Sequence, residues 1–99
     1  MVQINWTFQA KKDLKDIAEY IAKDSKLYAK RQVYKIRNRT DILKNHNYSG
    51  RIVPEIQDEK IKEILEGKYR IIYRVVNKNR IDIITVHHSS RDFHNRKLF

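Results

Sequence analysis

Two stretches of this 99-residue chain carry the side chains that could act on a phosphate. YRIIYRVV at 69–76 contains Arg70 and Arg74, and IDIITVHH at 81–88 ends in His87 and His88, with Arg91 just beyond. A cation beside a titratable imidazole is the minimum that phosphoryl chemistry requires. Histidine, with its charge change near neutrality, can serve as acid or base. A plainer reading stands beside this one: Arg70 and Arg74 in a structural ion pair with Glu63 or Glu66. His87 and His88 do not suit a shared metal, because adjacent strand residues point to opposite faces. The chain has no cysteine, which excludes disulfides, thiol catalysis and Cys-ligated zinc. No metal or small-molecule cofactor is expected.

The elements that must position these residues follow from periodicity. Both arms are rich in β-branched and aromatic residues and flank the break NKNR, which predicts a β-hairpin. A two-residue loop at Lys78 and Asn79 would set Val76 opposite Ile81 and Arg70 opposite His87. One face would then hold Tyr69, Ile71, Tyr73 and Val75 beside His88, Val86, Ile84 and Asp82. The other would hold Arg70, Ile72, Arg74 and Val76 beside His87, Thr85, Ile83 and Ile81, cationic at the end away from the loop. The first is the better core.

Upstream, VQINW predicts a short strand at 2–6 and Thr7 caps a helix reaching about Lys23. Its apolar stripe is Ala10, Leu14, Ile17, Ala18 and Ile21. Ser25 caps a second helix with the stripe Ala29, Val33, Ile36, Thr40 and Leu43, so the pair reads as an antiparallel helical hairpin. Arg31, Lys35 and Arg39 recur at i, i+4 and i+8 as a solvated or anion-binding ridge. NHNYSG from Asn45 is turn-rich, and Gly50 and Pro54 flank the apolar pair Ile52 and Val53 in what reads as an extended connector. EKIKEILE after it suits a helix or a strand equally. Gly50 and Gly67 fall at turns, not in a phosphate-cradling loop.

Lys and Arg number 22 against 12 Asp and Glu, a net charge of +10. That exceeds the magnitude of roughly 2–8 usual for a soluble small domain and invites a polyanionic partner. Residues 67–99 alone hold 8 basic and 2 acidic residues. No apolar run approaches the roughly 18 residues of a membrane span, and MVQINW lacks the marks of a signal peptide. A single cytoplasmic domain over 1–99, without membrane contact, is expected.

The ordered set INWTFQAKKDLKDIAEYIAKDS, GRIVPEI, IKEILEGKYRIIYRV and IDIITVHHSSRDF resembles the toxins of the RelE/ParE superfamily of type II toxin–antitoxin systems. The wording of GRIVPEI, YRIIYRV and the His88-x-x-Arg91 tail is closer to the ParE and plasmid-stabilisation branch. The resemblance implies an α+β fold, β-α-α-β-β-β, with the helical hairpin on one face of a small, mainly antiparallel twisted sheet, and it makes 61–66 a strand. It implies a growth-inhibiting toxin neutralised by a cognate acidic antitoxin, acting on DNA gyrase in the ParE manner. The alternative is a RelE-like, ribosome-dependent mRNA endoribonuclease; a basic nucleic-acid-binding domain is the third reading. Cleavage of mRNA would need a base for the ribose 2′-hydroxyl, an acid for the leaving oxygen and cations for the phosphorane. Arg70 matches the strand arginine that catalytic members use against the phosphate, making Arg70, His87 and Arg91 the catalytic candidates. Arg70, Arg74, His87, His88, Arg91 and Lys62 are the binding candidates. Ser89 and Ser90 stand where the catalytic branch places basic, His or Tyr groups, which argues against cleavage. Lys62 replaces a usual arginine and forgoes any bidentate pairing there.

Overall fold

A computed structural model of the chain describes residues 2–89. Strand β1 (Gln3–Trp6) leads into helix α1 (Phe8–Ala22), a short turn and helix α2 (Lys26–Arg39), followed by a 3₁₀ turn at Thr40–Lys44. Four strands follow: β2 (Arg51–Ile52), β3 (Ile61–Glu66), β4 (Tyr69–Asn77) and β5 (Arg80–His88). They form one sheet in the order β1-β5-β4-β3-β2, parallel between β1 and β5 and antiparallel elsewhere. The expected α+β architecture is present, with the two-residue β2 added at the far edge.

Local chemistry accounts for the helix starts. The Thr7 and Ser25 hydroxyls accept from the backbone N–H groups of Ala10 and Tyr28, each satisfying one otherwise orphaned donor. Thr7 also donates from Oγ1 to the Ile83 carbonyl at 2.7 Å, fastening α1 to β5 where β1 ends. Ala10, Leu14, Ile36 and Leu43 bury against Ile64, Ile71, Tyr73, Val75, Ile81, Ile83 and Val86, so the helical hairpin covers one sheet face as the stripes predict. Beyond Trp6 the outer edge of β5 loses its strand partner. Asp13 replaces it, accepting from the Val86 N–H at 3.0 Å and from the Thr85 hydroxyl.

The β4–β5 register matches the expected one from Tyr69–His88 through Ile72–Thr85. It then slips by one: Tyr73 pairs with Ile83, Arg74 with Asp82 and Val75 with Ile81, and the frame returns at Asn77–Arg80. Ile84 on β5 and Val76 on β4 are the extra residues of two compensating bulges. The slip corrects the expected faces. Ile81 and Ile83 join the helix-side core in place of Asp82 and Ile84. Lys78 and Asn79 form the loop, with Asn79 N–H donating to the Asn77 side-chain oxygen.

Candidate functional site

The sheet face away from the helices is covered in part by the connector between β2 and β3. Val53, with Ile56 beside it, packs on Ile61 and Ile72 in a small second core. This lid brings Glu55 over β4. The Arg70 guanidinium donates from both terminal nitrogens to the two Glu55 carboxylate oxygens, at 2.7 and 2.8 Å, and from Nε to Glu63 at 2.5 Å. Glu63 is also held by Arg51 Nε at 2.7 Å. Four side chains thus form one network with two charges of each sign.

Burial makes the network consequential. Glu63 is 1% exposed and Arg70 9%. A carboxylate that deep stays ionised only with partners. The Glu55 hydrogen bonds raise the Arg70 pKa above its ordinary value; burial opposes them, and the bond and charge of Glu63 reinforce them. The structural ion pair with Glu63 is therefore realised. Glu55, its stronger partner, had no mark in the local sequence beyond being a carboxylate beside Pro54.

The other candidates divide between the two faces. His87 is the cross-strand partner of Arg70 and shares its face, but it is buried like Arg70, so this part of the face is not open to solvent. Arg74 is on the same face, paired in register with Asp82, and exposed. His88 pairs with Tyr69 on the helix side, the two rings meeting edge to face at 5.4 Å. It borders a cleft of about 550 Å³ between the α1–α2 turn and the β3–β4 turn, shared with Tyr20, Tyr28 and Lys68. Lys62 pairs with Tyr73 and so also lies on the helix side, its ammonium 5.5 Å from the centre of the Tyr48 ring. Arg91 lies outside the described residues. The structure therefore brings Arg70, Arg74 and His87 onto one face and sets Lys62 and His88 on the other. Among the described residues no cluster of three or more His, Asp or Glu could hold a metal ion, and no helix is long and apolar enough to cross a membrane.

The Ile84 bulge and the Gly50 approach are further features that positioned the site without a sequence signal. Gly50 donates its N–H to the Tyr73 hydroxyl at 2.9 Å, and an added Cβ would fall 2.6 Å from that oxygen and from the Glu63 carbonyl. The glycine thus lets the connector close on the sheet, seating Arg51 and Glu55 around Glu63 and Arg70.

The fold agrees with what the chain is similar to. No curated protein matches the sequence. Among solved structures, a chain of "Chromosomal ParDE TA system from P. aeruginosa" superposes with a TM-score of 0.74 over 89% of this chain and 96% of that one, at 22% identity, a likeness of fold. The family model described as "ParE toxin of type II toxin-antitoxin system, parDE" matches residues 4–93, from β1 through β5 and past the paired Arg70 and His87. On that span the chain belongs to the ParE toxin family.

Proposed function

We propose that this toxin arrests growth by binding its target, DNA gyrase, and not by cutting RNA, and that a cognate acidic antitoxin neutralises it. The observation that carries the non-catalytic reading is the state of Arg70. Its guanidinium donates to two carboxylates, one of them bidentate. A phosphate reaching it would have to displace Glu55 and then lie against Glu63, a buried anion. That is the reverse of a site preorganised for a developing phosphorane charge. The net charge of +10 supports an acidic antitoxin segment as the neutralising partner.

Ribosome-dependent mRNA cleavage is the second reading, favoured by the direct pairing of Arg70 with His87. Two assays separate them. Purified toxin should inhibit gyrase supercoiling, and primer extension on translated message should show no new ends. Codon-positioned cuts that disappear in His87→Ala would reverse the assignment and make the protein a ribonuclease. Toxicity with neither effect would leave the family and remove gyrase as the target.

A further inference from the structure

Helix α2 carries six basic residues and no acidic one in the 14 positions from Lys26 to Arg39. The core side of the helix is Ala29, Val33 and Ile36. Opposite it, at helical spacing, run Leu27, Arg31, Tyr34 and Asn38, flanked by Lys30 and Lys35, all of them exposed. Solvated helix faces ordinarily interleave charges of both signs at i, i+4. Here none of Lys26, Lys30, Arg31 or Lys35 takes part in an ion pair among the described residues. Several other basic side chains are spoken for: Arg51 and Arg70 by carboxylates, Arg80 by Asp82, and on α2 itself Arg39 by the Leu65 carbonyl and Arg37 by the Trp6 ring at 5.0 Å. Among the described residues, Lys26, Lys30, Arg31 and Lys35 thus put four positive charges without an ion pair on one helix about 20 Å long.

We propose that this face of α2 is a nucleic-acid-binding surface that grips the phosphate backbone without reading sequence. Every polar side chain on it, Lys30, Arg31, Tyr34, Lys35 and Asn38, is a hydrogen-bond donor that suits phosphate oxygens. A helix ridge of like charge costs self-repulsion in the free protein, and a polyanion relieves it while releasing its own counterions. An acidic peptide would meet the same charge. It would also need a continuous apolar seam, and Leu27 and Tyr34 are separated by Arg31, so charge complementarity favours the backbone. The face lies on the helix layer, away from Arg70, and the inference does not rest on gyrase being the target.

The test is fluorescence anisotropy of the full chain with a labelled mixed-sequence DNA duplex and, separately, a single-stranded RNA, over about 50 to 200 mM salt. The pair Arg31→Gln with Lys35→Gln should weaken duplex binding roughly tenfold at low salt and lower the log–log salt slope by about 2. Lys12→Gln with Lys15→Gln on α1 removes the same charge and should change binding much less. All four positions are exposed, and a thermal melt of each variant shows that the fold is kept. Similar affinity for both nucleic acids supports backbone recognition, and so does a single-strand preference abolished by Tyr34→Leu, which adds stacking on the ring. Three results overturn the proposal: binding that does not weaken with salt, an α1 pair that costs as much as the α2 pair, or an acidic peptide of equal charge bound more tightly through Arg31 and Lys35.

Discussion

Arg70 and Glu55, fifteen positions apart and on different elements, form a two-pronged ion pair at 2.7 and 2.8 Å that ties the connector to the centre of the sheet. The pair makes Arg70 a structural residue as well as a candidate ligand. Arg70→Met should destabilise the fold by about 3–5 kcal/mol, because it leaves the buried Glu63 with Arg51 alone. Glu55→Gln keeps an acceptor at a partly exposed position and should cost about 1 kcal/mol. Urea unfolding of the two variants measures the difference, and equal losses would refute the ranking. A loss of toxicity in Arg70→Ala must therefore be read beside its melting curve.

The two glycines should respond to alanine for different reasons. Gly67 opens the β3–β4 turn at φ +57 with nothing near its would-be Cβ, so Gly67→Ala costs the backbone term of about 1–2 kcal/mol and Gly67→Asn much less. Gly50 has no space, since its Cβ would press on the Glu63 carbonyl and the Tyr73 ring. Gly50→Ala and Gly50→Asn should therefore both destabilise, by about 1–3 kcal/mol. Thermal unfolding of the four variants decides it: if asparagine rescues at Gly50 as it does at Gly67, the close approach is not the cause.

Alkaline pH should act through Tyr73. Burial of its ring raises the hydroxyl pKa above 10.0, against the lowering effect of the Gly50 N–H that it accepts. The folded state thus holds this proton more tightly than the unfolded chain does. Its contribution to stability is complete below about pH 10 and is lost as pH rises through the higher folded value. The urea midpoint should fall more steeply above pH 10 in the wild type than in Tyr73→Phe. Parallel curves would show that Tyr73 ionisation plays no part.

Asp13 should behave as a strand substitute. Asp13→Ala strips acceptors from the buried Val86 N–H and Thr85 hydroxyl and should cost about 2–4 kcal/mol. The amide hydrogen of Val86 should then exchange with solvent faster, while Ile81 and Ile83, which lie where β1 still covers the edge, keep their protection. Uniform loss of protection along β5 would contradict the assignment.

The elements of this fold were legible because their signals are local. The Thr7 and Ser25 caps, the two apolar stripes and the β-branched arms at 69–76 and 81–88 each declare themselves within a few residues. The pairing of Arg70 with His87 followed from loop length alone. What stayed hidden depends on contacts between distant segments. The Ile84 bulge has no local marker; it coincides with the place where Thr7 binds the carbonyl of Ile83. Glu55 reaches Arg70 only because Gly50 lets the connector lie against Tyr73. Segment 61–66 was decided by its neighbours, with β2 and β4 on either side overriding its helical propensity.

The parallel contact of β1 with β5 has a consequence in time. Gln3 to Trp6 are made well before their partners, Arg80 to Ile83, which follow 77 positions later in the chain. Closing a loop of that length costs entropy that only the assembled sheet repays, so β1 stays unpaired through most of synthesis. A released chain that ends at the β4–β5 loop would keep the sequence of both helices and of β2 to β4, but its first strand would lack a partner and be open to protease. The toxin's architecture therefore delays its own completion until β5 has emerged, and a product that stops short of β5 leaves β1 without its partner strand.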